Sequence, residues 1–151
     1  MATIIEDVSK SADWIAHAMH SSGYRADFTP QSLLEIDRFF DEHSSAGIAR
    51  PGGLLAKDLG QRLFAIGSYI GEVARRKLGG EWSGNELDPR GEIDVELHLP
   101  SNIRCWPVQR VMKRFKNGPE DSIAAWGVGL GLHVESSPES LPKSFLKKLF
   151  G

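Results

Sequence analysis

The sequence predicts an α+β fold. Three N-terminal helices are followed by a small antiparallel β-meander of two or three strands, then two or three C-terminal helices, with a single layer of sheet packed on helices. Three observations carry this. Apolar residues recur with helical period through about residue 78 and again after residue 106. Between Ile93 and Leu99 the period drops to two. No repeat, low-complexity tract or linker interrupts the 151 residues, so one domain over 1–151 is expected, with 136–151 as a loosely attached tail.

The first helix is expected to begin near Ser9 or Ser11 and run to about His20, with Trp14, Ile15, Ala18 and Met19 on the inward face and Ser21-Ser22-Gly23 as the stop. Thr29-Pro30 reads as an N-cap and first-turn proline, because the first helical residue needs no N–H donor. The second helix turns Leu33, Ile36, Phe39 and Phe40 inward and Glu35, Asp37, Asp41 and Glu42 toward water, and ends near Ser44-Ser45. Gly47–Gly53 is then a loop.

The third helix is expected over Leu55–Leu78, with Leu59, Leu63, Ile66, Ile70 and Val73 forming a sustained seam. Three glycines, Gly60, Gly67 and Gly71, sit inside it, at a cost of about 1 kcal/mol each relative to alanine. Gly67 and Gly71 share a face, so a helix or sheet should approach there too closely for a Cβ. Arg75, Arg76 and Lys77 suit the negative helix end, and Gly79-Gly80 close it.

Ile93, Val95, Leu97 and Leu99 alternate with Asp94, Glu96 and His98 as a half-buried strand, Ile103–Trp106 returns as a second, and Glu81-Trp82 begins a third. Trp106-Pro107 opens a fourth helix with Val108, Val111, Met112 and Phe115 inward, ended by Asn117-Gly118. A further helix starts at Pro119-Glu120-Asp121 and is broken by Gly127, Gly129 and Gly131. Leu141–Phe150 reads as a short basic amphipathic helix.

Composition excludes more than it identifies. With 40% hydrophobic and 25% charged residues the chain is too apolar for disorder and too polar for a membrane protein. One cysteine, Cys105, and a net charge of −2 exclude a disulfide scaffold, a zinc ribbon and a strongly basic nucleic-acid binder. The lone thiol, and an N-terminus without a signal-peptide pattern, point to a cytoplasmic protein. The run Ser122–Val134, free of charged residues and carrying three glycines, is too short to span a bilayer. The near-neutral total hides a gradient: residues 1–50 carry −4, 51–100 carry −2 and 101–151 carry +4. A partner surface is therefore sought at the basic end.

No P-loop, C-x-x-C or H-E-x-x-H motif is present, and Gly127-x-Gly129-x-Gly131 has neither the spacing nor the strand context of a dinucleotide site. Ser68 is no nucleophile elbow, because it lies mid-helix. His17 and His20 are half a zinc site, and Cys105 has no defined histidine partner. Asp94, Glu96 and His98, on one strand face, are the best weak candidates for a divalent cation or for acid/base work, against the plainer reading of a solvated strand face. No cofactor is expected. Arg110, Lys113, Arg114 and Lys116 form a basic stripe followed by Asn117, suited to an acidic protein surface; without interleaved exposed aromatics it does not read as a nucleic-acid site. Trp82 and Trp106, at helix–sheet junctions, are core anchors or groove walls.

Leu59-Gly60, Gly67-Ser68-Tyr69-Ile70-Gly71-Glu72, Gly79-Gly80-Glu81-Trp82, Pro107-Val108, Lys113-Arg114-Phe115, Asn117-Gly118 and Glu120-Asp121-Ser122 resemble the motifs of an uncharacterised bacterial family of small α+β domains, a domain of unknown function. The resemblance covers about 28–127. It implies a bacterial origin and a compact α+β domain, and brings no catalytic residues with it. In size and class, though not in motif, the chain is also similar to immunity proteins that bind secreted toxins.

Three functions compete. The first is a non-enzymatic protein-binding or regulatory module whose surface is built around Tyr69, Glu72, Trp82, Trp106, Arg110, Lys113, Arg114 and Asn117. The second is a small-molecule-binding protein or hydrolase using a groove between helix 55–78 and the hairpin 92–106, with Glu72, Asp94, Glu96 and His98. The third is a homo-oligomer joined through the Gly67/Gly71 face. The expected partner is thus a protein, including a second copy of this chain, and neither nucleic acid nor membrane.

Overall fold

In the computed structural model, which describes residues 3–135, the chain is α+β, with five α-helices and two small antiparallel sheets of two and three strands. The tail 136–151 and its expected helix lie outside the described residues.

The first helix, α1 (Ile4–Ser21), starts a turn earlier than its serines predict. Thr3 is the N-cap, its hydroxyl accepting the Glu6 N–H at 3.1 Å. The buried stripe is Ile4, Val8, Ala12, Ile15, Ala16 and Met19, whereas Trp14, expected inside, is half exposed. A 3₁₀ turn at Pro30–Ser32 leads into α2 (Leu33–His43). A hairpin of β1 (Ser44–Ser45) and β2 (Ile48–Ala49) replaces the start of the expected loop. Its two turn residues, Ala46 and Gly47, both have positive φ, the geometry that matches strand twist in a two-residue turn. Gly47 N–H then donates to Phe115 O at 2.8 Å, stitching the hairpin to the C-terminal half.

The expected third helix is divided. A 3₁₀ turn at Leu54–Ala56 is separated from α3 (Leu59–Leu78) by Asp58, which adopts a left-handed conformation with φ 53°. Helix α3 is the centre of the molecule: every residue from Leu63 to Ala74 is buried. The three-stranded sheet has the order β3 (Glu81–Ser83), β4 (Glu96–Leu99), β5 (Ile103–Cys105). Its register places Trp82, Leu97 and Cys105 side by side facing the core, and Glu81, His98 and Arg104 side by side on the other face. Strand β4 is shorter than the alternation implies, because Asp94 N–H is drawn into a turn by Arg90 O. The chain continues into α4 (Pro107–Asn117) and α5 (Ile123–Gly129). Gly127 and Gly129 lie within α5, and the positive φ falls only at Gly131.

Two of the three helix glycines have the expected neighbours. A Cβ on Gly67 would lie 2.5 Å from Val108 Cα, and one on Gly71 would lie 2.1 Å from the Trp82 ring and 3.1 Å from Pro107. The shared glycine face is filled by α4 and β3 of the same chain. The expectation that it joins two copies is therefore corrected. A Cβ on Gly60 would meet nothing.

Two charged residues expected on solvated faces are also corrected. Asp37 and Arg114 are buried against each other, with Arg114 Nε donating to Asp37 Oδ1 at 2.9 Å. Local helical periodicity places a charge outward, but here each finds its partner 77 residues away.

The glycines make a test of opposite signs. Gly71→Ala should destabilise by about 3 kcal/mol, since the indole cannot yield without leaving the core, and Gly67→Ala by a similar amount against backbone. Gly60→Ala should stabilise by about 0.5–1 kcal/mol. Urea unfolding of the three variants checks this; equal effects at the three sites would contradict the packing described.

Candidate functional site

Glu72 lies one residue beyond Gly71 and is only 5% exposed. Its carboxylate accepts from Arg75 Nε at 2.5 Å and Nη2 at 2.9 Å, from Trp82 Nε1 at 2.8 Å and from Arg76 Nε at 3.4 Å. Burial alone would raise its pKa. The Arg75 and Trp82 hydrogen bonds and the two guanidinium charges outweigh it and hold the carboxyl below the usual range. Glu72 therefore stays ionised at neutral pH, with its lone pairs engaged, and it fixes the indole over Gly71. A cleft of about 350 Å³ opens above it, walled by Ile5 and Val8 of α1 and by Glu81 and Trp82 of β3. The carboxylate is thus both a buried structural acid and the floor of a groove.

Tyr69 is fully buried. Its hydroxyl accepts the Phe28 N–H at 3.0 Å and lies 2.6 Å from Ser32 Oγ, bracing the segment before α2 against α3. Tyr69 thus offers no surface to a partner, and neither does Arg114, whose remaining bonds go to Asp37 O at 3.1 Å and Asp41 Oδ1 at 2.7 Å.

Trp106, Arg110, Lys113 and Asn117 do come together. Spaced at i, i+4, i+7 and i+11, they form one stripe along the outer side of α4. Trp106 is 39% exposed. Asp121 reaches the far end of the stripe, 3.5 Å from Arg110 Nη1 and accepting from Asn117 Nδ2 at 2.7 Å. Lys113 and Lys116 are exposed and, among the described residues, in no ion pair; the same holds for Arg104 on the adjoining strand. Met112, on the same helix as the two lysines, is exposed and adds apolar surface. Met112 and Trp106, which local periodicity had turned inward or left undecided, give the basic stripe its apolar component.

The Asp94, Glu96 and His98 trio is not assembled. His98 Nε2 and Glu96 Oε2 are 2.7 Å apart on the outer sheet face. Asp94 lies before the strand, where it accepts from Gln109 Nε2 at 3.1 Å. Among the described residues no group of three or more His, Cys, Asp or Glu is placed to hold a metal ion. Nor do these three line the groove above Glu72, so the acid/base set imagined for a hydrolase does not converge. Cys105 is buried and its thiol is pushed up to about 11 by that burial, which leaves it protonated and unreactive at neutral pH.

Among the described residues no helix is long and apolar enough to cross a membrane. Set against protein-family models, curated proteins and solved structures, the chain matches none of them.

The groove makes a pH-dependent prediction. With a depressed folded-state pKa, Glu72 contributes its full stabilisation above the ordinary carboxylate range and loses it as pH falls through its own lower pKa. Glu72→Gln should cost about 1–3 kcal/mol at pH 7, and the gap from wild type should close at acid pH. Chemical unfolding of both proteins across a pH series measures it; a pH-independent gap would contradict the role given to the carboxylate.

Proposed function

We propose that the chain is a non-enzymatic protein-binding or regulatory module of a bacterial cytoplasm, and that it meets its partner with the outer side of α4 and the adjoining end of β5. One observation carries this reading: Trp106 and Met112 are exposed on the helix that bears Lys113 and Lys116, and Arg104 precedes it on β5, three cations without an ion-pair partner among the described residues. Half-exposed aromatic and sulfur-bearing side chains ringed by cations suit an acidic segment that also carries apolar residues. The charge gradient along the sequence and the resemblance of residues 28–127 to small bacterial domains support the same reading.

The proposal is narrower than the sequence-based surface. Tyr69, Glu72 and Arg114 hold the scaffold, Trp82 walls the Glu72 groove, and recognition rests on Trp106, Arg110, Lys113 and Asn117 with Arg104, Met112 and Lys116. The attraction is largely between exposed charges, so binding should weaken as salt rises.

Immobilised full-length protein, incubated with lysate of its source organism, should retain a partner that is lost when Trp106→Ala and Lys113→Glu are combined and kept when exposed Lys57, far along the chain, is changed to Glu. Recovery of no specific partner, or recovery unchanged by the double substitution, would overturn the assignment.

A further inference from the structure

We propose that a second cleft, between α1 and the start of α3, binds a small zwitterion of amino-acid or dipeptide size. It is independent of the α4 surface. Its volume is about 400 Å³, within the range of small-molecule sites. Its walls carry Asp7, Lys10 and Trp14 from α1, Asp58 and Arg62 from the start of α3, and Glu92 from the loop before β4. Phe64 and Ala65, both buried, form the apolar floor.

The charges in this cleft are unusual in one respect. Three carboxylates and two cations line it, yet among the described residues none of the five is in an ion pair. The five charges share one small concave site without being paired to one another. A ligand with both an ammonium and a carboxylate pairs with both signs. A simple cation would leave Lys10 and Arg62 opposed to it, and a simple anion would face Asp7, Asp58 and Glu92.

Two side chains are already set for such a guest. Asp58, in its left-handed conformation, makes no side-chain capping bond to α3, so its carboxylate remains free for the cleft. Arg62 is fixed at one end by donating from Nη1 to Leu54 O and lies with its guanidinium carbon 5.8 Å from the centre of the Trp14 ring. Trp14 is 50% exposed and offers an indole face to an apolar side chain. Groups held before binding cost less to order on binding.

The test uses phenylalanine and glycyl-phenylalanine, each free, N-acetylated and C-amidated, titrated into the isotope-labelled full chain while the Trp14 indole and Gln61 amide signals are followed. At least one free zwitterion should shift these signals saturably and bind at least about tenfold more tightly than its own blocked forms. Lys10→Gln, at an exposed position, should lower the affinity of the free form to that of its amide. Trp14→Ala should abolish saturation. Blocked forms that bind as tightly as free ones, shifts mapping outside the cleft, or no saturation at millimolar concentrations for any free form would each overturn the proposal.

Discussion

The C-terminal half of the fold depends on one carboxylate. Asp37, whose side chain is 3% exposed, accepts four hydrogen bonds, from Arg114 Nε, Ser122 Oγ and the backbone N–H groups of Ile123 and Ala124. A buried charge is costly unless paired and fully bonded, and here it is both. Helix α5 has only seven residues, too few to persist by propensity alone. Its first N–H groups are satisfied by Asp37 from α2, and a negative charge is placed where the helix dipole favours one. Ser122 serves twice, donating to Asp37 and accepting from Ala125 N–H. Arg114 completes the set from α4 and lies 5.5 Å from the centre of the Phe40 ring. Helix α2 is thus joined to α4 and α5, both remote from it in sequence, at one polar point inside an apolar core.

The other constraint is the glycine face of α3. Trp82 rests on Gly71, Glu72 holds its N–H, and Val108 rests on Gly67. Further along the chain, Pro107 packs on Gly71, Asn117 bonds Asp121, and Arg114 and Ser122 bond Asp37. The unusual residues therefore encode close packing between elements, and the surfaces offered for binding lie beside them: the outer side of α4 and the cleft of Trp14 and Arg62.

How much was legible follows from this division. The existence of the helices within residues 3–135, the change to a two-residue period and the close approach at Gly67 and Gly71 are local signals, and they read correctly, whereas several helix ends did not. The start of α1 was also written locally, as Thr3-Ile4-Ile5-Glu6, a capping pattern outweighed by the nearby serines. The burial of Asp37 and Arg114 was not legible, because amphipathic periodicity assigns charges to water and carries no information about a partner 77 residues away. The break at Asp58 and the turn at Ala46 use positive φ at residues other than glycine, for which sequence gives only a weak sign. The Trp14 cleft draws on three segments, so no single stretch could disclose it.

The most direct measurement is a double-mutant cycle on Asp37 and Arg114, with amide exchange read at Ile123 and Ala124. Asp37→Asn and Arg114→Met should each cost about 3–5 kcal/mol by leaving an uncompensated buried group, the pair together should cost clearly less than the sum, and Asp37→Asn should strip protection from the start of α5. Single effects below about 0.5 kcal/mol, additive energies, or unchanged exchange at α5 would contradict the central place given to this carboxylate.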